Sequence, residues 1–123
     1  MRKAICLALL ATLTLGGASA AGGTATSGLK GRVMRGPIMP VCRVGVPCDE
    51  PARGVKLIFS RSGKVVARTT TNQRGYYRVA LRPTRYAVRT NRTFSEKVPA
   101  PSRVTVPNDR FKRVDFHIDT GIQ

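Results

Sequence analysis

Residues 71–88 read TNQRGYYRVALRPTRYAV and contain a turn, an alternating strand, a proline-led corner and a second strand without a break. In the first of these strands Tyr77, Val79 and Leu81 share one face. Beyond the corner the alternation resumes with Tyr86 and Val88. Apolar residues at every second position, bounded by turn residues, are typical of half-buried β-strands. The stretch therefore predicts neighbouring strands of an antiparallel sheet.

The same alternation continues on both sides of this stretch. A strand begins near Gly28 and ends at Gly36, and a hairpin that starts at Val55 turns at residues 61–64. Further strands are indicated by two groups of alternating apolar residues, Val104 with Val106, and Val114 with Phe116 and Ile118. Seven short strands without helical periodicity predict an all-β, seven-stranded antiparallel sandwich. Residues 28–123 are expected to form its single domain.

The first twenty residues have the form of a secretory signal peptide. Arg2 and Lys3 precede an apolar run at residues 4–15, and Ala18 and Ala20 supply small residues for cleavage. The run is about 12 residues long, shorter than the ~20 that span a bilayer, so no transmembrane segment is expected after cleavage. We expect export to the periplasm, the cell envelope or the medium. Cys6 would leave with the signal peptide, and residues 21–27 would form a flexible lead-in.

A proline-rich loop is predicted at residues 37–53. Its four prolines, at positions 37, 40, 47 and 51, disfavour both a helix and a central strand. Cys42 and Cys48 are the two cysteines left after cleavage, and in an oxidising compartment they predict a disulfide. The disulfide either holds this loop in a shape that binds a partner or only constrains a long connection between strands.

The charge is strongly basic. The full chain has 22 basic and 6 acidic residues, and removing Arg2 and Lys3 leaves 20 against 6, a net charge of +14. Such a charge attracts polyanions. Arginine suits bidentate phosphate contacts, although an arginine-rich codon composition explains its abundance equally well. Alternation places five basic residues at outward positions, where they form either a candidate anion-binding face or an ordinary solvated surface: Lys56, Arg78, Arg82, Arg89 and Arg113.

Residues 71–88 resemble the carboxypeptidase regulatory-like domain and the wider transthyretin-like group. The matching positions include Thr71, Gly75, Pro83, Tyr86 and Val88, while Asn72 and Thr84 depart from the usual Asp and Gly. The resemblance implies an immunoglobulin-like or transthyretin-like sandwich across most of the chain. It also implies a structural corner at Gly75, Pro83 and Tyr86, whose tyrosine hydroxyl pins the turn. In such proteins the domain is an accessory or binding module.

The sequence offers no assembled catalytic set. His117 is the only histidine and is flanked by Asp115 and Asp119, but neighbouring side chains on one strand face lie ~7 Å apart and do not converge on a metal. We therefore expect these carboxylates to pair with arginines. Lys30 has no asparagine on the last strand with which to form an isopeptide bond. The expectation is no enzyme, no catalytic residue, no metal and no cofactor.

These features together indicate a non-enzymatic exported module with a structural or binding role in the cell envelope. Its expected partner is an anionic envelope polymer or a protein. The alternative is a cationic polyanion-binding protein that takes envelope phosphate, polysaccharide or nucleic acid, the last without sequence specificity.

Overall fold

The chain folds into an all-β sandwich of two sheets. The computed structural model describes residues 25–122, so the predicted signal peptide, Cys6 and most of the predicted lead-in lie outside the described residues. Among residues 25–122 no helix is long and apolar enough to cross a membrane. A 3-10 helix covers Phe94–Glu96. The strands are β1 Gly28–Gly36, β2 Glu50–Pro51, β3 Lys56–Arg61, β4 Lys64–Thr70, β5 Tyr76–Ala80, β6 Arg85–Thr90, β7 Arg103–Thr105, β8 Phe111–Arg113 and β9 Phe116–Asp119.

The predicted sandwich is confirmed, but it has nine strands instead of seven. One added strand, β2, lies inside the proline-rich loop and pairs over only two positions, Met34 with Pro51 and Arg35 with Glu50. The other arises because the predicted last strand is divided into β8 and β9. Ser27, predicted to be flexible, is buried and exchanges hydrogen bonds with Leu81. Packing therefore begins before Gly28.

The first sheet is built around β1. Strands β5 and β2 pair with it antiparallel along one side, whereas β8 and β9 pair with it parallel along the other. The prediction of a wholly antiparallel sandwich is therefore wrong for these two pairs. A parallel pair needs a crossover, and here the whole second sheet intervenes in the chain between β1 and β8.

The division between β8 and β9 has a local cause. The Val114 N–H still donates to the Lys30 carbonyl at 2.8 Å, but the next donor on β1, the Arg32 N–H, bonds to the Asp115 carboxylate at 2.9 Å. A side-chain oxygen thus replaces a main-chain acceptor, and the backbone ladder is interrupted for two residues. Regular pairing resumes between Val33 and Phe116.

The second sheet has the strand order β4-β3-β6-β7. Strands β3 and β4 form the predicted hairpin, and both central turn residues, Ser62 and Gly63, have positive φ angles of 51° and 78°. Two positive φ angles match the right-handed twist of the paired strands. The register shifts at Phe59 and Ser60, which places a bulge next to this turn.

The two sheets bury one hydrophobic core between them. The predicted inward residues are buried, except Val114, which is half-buried. Tyr77 and Phe116 pack with ring centroids 5.6 Å apart, and the Tyr77 hydroxyl donates to the Val114 carbonyl at 2.5 Å. Burial, and secondarily the charge of Asp115, raises the pKa of the Tyr77 phenol well above its usual value. The hydroxyl therefore stays protonated and keeps donating well into the alkaline range, where an exposed tyrosine would ionise.

The stretch at residues 71–88 provides the turn and the corner. Gly75 has a φ angle of 83°, and the Asn72 side-chain oxygen accepts the N–H groups of Arg74 and Tyr76 at 2.9 and 3.0 Å. At the corner the Tyr86 hydroxyl donates to the Arg82 carbonyl at 2.8 Å. Side-chain acceptors and donors thus satisfy the backbone where no strand pairing is available.

The predicted disulfide is present between Cys42 and Cys48, whose Cα atoms lie 5.5 Å apart. The Ile38 N–H donates to the Cys48 carbonyl at 2.7 Å and ties the clipped segment back to the end of β1. Three valines of this loop are exposed, at positions 41, 44 and 46. The crosslink therefore holds a segment that contributes little to the core.

Replacing both cysteines with alanine should lower the free energy of unfolding by about 2 kcal/mol. The reason is that opening a ring of about seven residues restores conformational entropy to the unfolded chain. Urea denaturation of the oxidised protein and of the double variant measures this difference. A thiol assay on the native mature protein should find no free thiol, and finding two would contradict the crosslink.

Candidate functional site

The five basic residues predicted from alternation do not form one face. Arg78 and Arg113 flank Lys30 on the outer face of the first sheet, because β5 and β8 lie on opposite sides of β1. Lys56 and Arg89 project from β3 and β6 of the second sheet, and Arg82 lies in the connection after β5. The alternation shows which residues point outward but not which sheet carries each of them.

The outer face of the first sheet has its own internal partners. The Arg78 guanidinium lies 3.8 Å from the centroid of the Phe111 ring, and Arg32 lies 5.1 Å from that of Tyr76. Arg113 pairs with the Asp115 carboxylate at 3.2 Å. Stacking and pairing orient these cations, each contributing on the order of 1 kcal/mol or less at an exposed site. Phe111 was not recognised from the sequence as the stacking partner, because its pairing with Gly28 depends on the parallel register.

Other ion pairs stabilise the far end of the same sheet. Arg35 on β1 contacts Glu50 of β2 at 3.1 Å and Glu96 of the 3-10 helix at 2.8 Å. The hydrogen bond to Glu96 raises the pKa of Arg35, so this cation stays charged. His117 lies 3.5 Å from Asp49. These contacts hold β2 and the 3-10 helix against β1, which is a structural role.

The carboxylates flanking His117 point to separate partners. Asp115 accepts from Arg32 and Arg113, and Asp119 accepts the Gly121 N–H at 2.9 Å. Within residues 25–122 no group of three histidine, cysteine or carboxylate side chains is arranged to hold a metal ion. The expected pairing with an arginine is therefore found for Asp115 but not for Asp119, which forms no ion pair among the described residues.

The second sheet differs because it contains no acidic residue. Its four strands contain seven basic residues, and none of them forms an ion pair with another residue in the described range 25–122. We call the exposed, outward-facing members the second-sheet basic face: Lys56, Arg68, Arg85, Arg89 and Arg103. Three of these, Arg68, Arg85 and Arg103, were not among the residues predicted from the sequence.

The register fixes the spacing within this face. Arg68 on β4 and Arg89 on β6 both lie opposite Ile58 on β3, so their Cα atoms are about 10 Å apart across the middle strand. Like charges at such positions repel each other in the free protein. An anion placed between them relieves that repulsion, which is what a binding surface for an extended polyanion requires.

A signal for this face exists in the sequence. Residues 51–95 contain no aspartate or glutamate, and this run includes β3, β4, β5 and β6. The run contains eleven basic residues: Arg53, Lys56, Arg61, Lys64, Arg68, Arg74, Arg78, Arg82, Arg85, Arg89 and Arg92. Within residues 25–122 none of these eleven forms an ion pair, and Arg78, on the first sheet, is the one that stacks on an aromatic ring.

Comparison with known proteins adds no relative. No protein-family model matches the chain, and a search of curated proteins finds no significant similarity. The resemblance of residues 71–88 to the carboxypeptidase regulatory-like domain therefore stays a prediction from the residues themselves.

Proposed function

We propose that this protein is a non-enzymatic exported module that binds an anionic polymer of the cell envelope through the second-sheet basic face. The observation that supports this most directly is the segregation of charge. Seven basic residues and no acidic residue occupy the four strands of one sheet, while the ion pairs of the described residues lie around the other. Export is supported by the N-terminal sequence pattern and by the disulfide.

The chemistry of the face favours polymers over small ions. Four of its five cations are arginines, whose planar guanidinium groups can each make two parallel hydrogen bonds to phosphate, sulfate or carboxylate. A polymer that engages several of them releases its condensed counterions, so affinity falls steeply as salt rises. The transthyretin-like resemblance, which implies an accessory or binding module, agrees with this role.

The experiment compares two triple variants of the mature chain, residues 21–123, that lose the same charge. Lys56→Gln/Arg68→Gln/Arg89→Gln removes three cations from the second-sheet basic face, and Lys30→Gln/Arg78→Gln/Arg113→Gln removes three from the first sheet. Binding to fluorescent polyphosphate and to polyglutamate is measured by anisotropy between 50 and 300 mM NaCl. Circular dichroism verifies that both variants fold.

The second-sheet variant should bind polyphosphate about 100-fold more weakly at 100 mM salt, with a salt slope smaller by about 2, because three contacts are lost. The first-sheet variant should lose less than about 5-fold, the effect of net charge at a distance. Equal losses in both variants would mean that binding follows total charge, and would overturn the proposal. Absence of polymer binding by the parent protein at 50 mM salt would also overturn it.

A further inference from the structure

A pocket of about 410 Å³ lies at one end of the second-sheet basic face. It is bounded by the β3–β4 turn on one side and by the paired strands β6 and β7 on the other. Seven of its lining residues carry side-chain donor groups, three guanidiniums and four hydroxyls: Arg61, Arg85, Arg103, Ser60, Ser62, Thr105 and Tyr86.

Small side chains create the depression. One row across three strands contains Ser60 on β3, Ala87 on β6 and Arg103 on β7. The short side chains of Ser60 and Ala87 form the floor of the pocket. The bulge next to Ser60 bends β3 toward its turn, and the turn residues Ser62 and Gly63 form a wall. The pocket is therefore a product of the hairpin geometry and of the short Ala87 side chain.

Among the described residues the three arginines of this pocket have no acceptor of their own, whereas the Tyr86 hydroxyl donates to the Arg82 carbonyl. None of the lining residues is acidic, and within residues 25–122 the side chains of Arg61, Arg85 and Arg103 make neither an ion pair nor a hydrogen bond to protein. Arg85 lies opposite Thr105 while Arg103 lies opposite Ala87, so the two arginines are diagonal neighbours with Cα atoms about 7 Å apart. Two guanidiniums at that separation can converge on one anion.

We infer that this pocket binds the tetrahedral oxyanion of a phosphate or sulfate ester. Three guanidiniums with hydroxyls around them match a group with several oxygen acceptors pointing in different directions, whereas a carboxylate presents two acceptors in one plane. The volume falls in the range of about 300–1,000 Å³ usual for small-ligand pockets, which leaves room for the sugar or glycerol unit that carries the anion. The inference rests on the proposed function and names the repeating group that its polymer would present.

The test titrates the ¹⁵N-labelled mature chain, residues 21–123, with inorganic phosphate, inorganic sulfate and acetate at constant ionic strength, and follows backbone amide shifts. We expect saturable shifts at Ser62, Gly63 and Thr105 with phosphate or sulfate, and at least 10-fold weaker binding of acetate. Glycerol 3-phosphate and glucosamine 6-sulfate then distinguish a phosphate-ester source from a sulfate-ester source. Shifts of equal size with acetate, or no saturable shift with either ester, would overturn the inference.

Two variants assign the site to the pocket. Arg85→Gln/Arg103→Gln should weaken phosphate binding at least 10-fold, while the matched pair Arg68→Gln/Arg89→Gln, which removes the same charge from the same face, should leave it within 3-fold. Ala87→Leu fills the bottom of the pocket without changing the charge. It should block phosphate binding while polyglutamate binding persists. If the protein binds polymer but Ala87→Leu still binds phosphate normally, the pocket inference fails alone. If the parent protein binds neither phosphate nor polymer, the proposed function and the pocket inference both fail.

Discussion

Replacing Phe59 with alanine should lower the free energy of unfolding by about 3–5 kcal/mol. Phe59 lies on β3, which pairs with both β4 and β6, and its side chain is fully buried. Alanine removes a whole ring from the core and leaves a cavity that the surrounding strands cannot close, because both are held in register. Since domains of this size are stable by about 5–15 kcal/mol, the variant should be close to unfolding.

Phe94→Ala is the matched control for this prediction. The chemical change is the same, but the Phe94 ring is 92% exposed in the 3-10 helix, so its removal should change stability by less than about 0.5 kcal/mol. Urea unfolding followed by far-ultraviolet circular dichroism measures both variants. A loss below about 1.5 kcal/mol for Phe59→Ala would mean that the core is not packed as described.

The second large effect is expected at the turn that opens residues 71–88. Gly75→Ala should cost about 3–4 kcal/mol for two reasons that add. The φ angle of 83° costs a residue with a Cβ about 1–2 kcal/mol. In addition, the new Cβ would lie 2.5 Å from the Val33 carbonyl oxygen and 3.2 Å from the Pro51 Cβ. Close overlap of this kind in a packed region costs typically 1–3 kcal/mol.

The carbonyl that Gly75 approaches cannot easily move away. The Val33 oxygen accepts the Ala52 N–H at 2.9 Å, and the Val33 N–H donates to the Gly75 carbonyl at 2.8 Å. Relieving the overlap would break one of these bonds between β1 and the turn. The substitution should therefore also raise hydrogen exchange at the amides of Val33 and Ala52.

Gly63→Ala separates the cost of a positive φ angle from the cost of steric overlap. Its φ angle of 78° is nearly the same, but nothing lies within 4 Å of the position that a Cβ would take. It should cost only the conformational part, about 1–2 kcal/mol. Thermal and urea unfolding of the two variants, measured side by side, should differ by about 2 kcal/mol. Equal costs would show that Gly75 is required for its backbone conformation alone.

Local periodicity was sufficient to predict much of this fold. Val55, Leu57 and Phe59 alternate with polar or half-buried neighbours, and all three are buried, because a strand in a two-layer sandwich has one inner face. The turn at Gly75 and the hairpin at Gly63 also followed from local chemistry, since both need a residue that tolerates positive φ.

The remaining features depend on contacts between residues far apart in the chain. Strand β2 consists of two residues that pair only because β1 offers them an edge, and its Pro51 argued against a strand. The interruption at Asp115 depends on the Arg32 N–H, 83 positions away in the chain. The parallel pairing of β8 and β9 with β1 likewise follows from how the chain crosses between sheets, which alternation does not encode.

The candidate site was predictable only in part. Alternation placed Lys56 and Arg89 outward, and both belong to the second-sheet basic face. Arg85 was not among the residues predicted from the sequence, and its position in the site depends on the register with Thr105. The pocket depends on Ala87 lying beside Ser60, which follows from pairing between β3 and β6 and not from the spacing of residues along either strand.

Hydrogen bonds at two margins of the sandwich bear on its resistance to aggregation. The Thr69 hydroxyl of β4 donates to the Arg78 carbonyl of β5 at 3.1 Å, and the backbones of Ala100 and His117 exchange hydrogen bonds of 2.8 and 2.9 Å. The outer strand β7 is three residues long, and Pro101 and Pro107 close to its ends have no N–H to donate. Short, interrupted and charged edges are poor templates for strand addition. Under the proposed function, copies that collect on one polyanion would therefore not join their strands through β7.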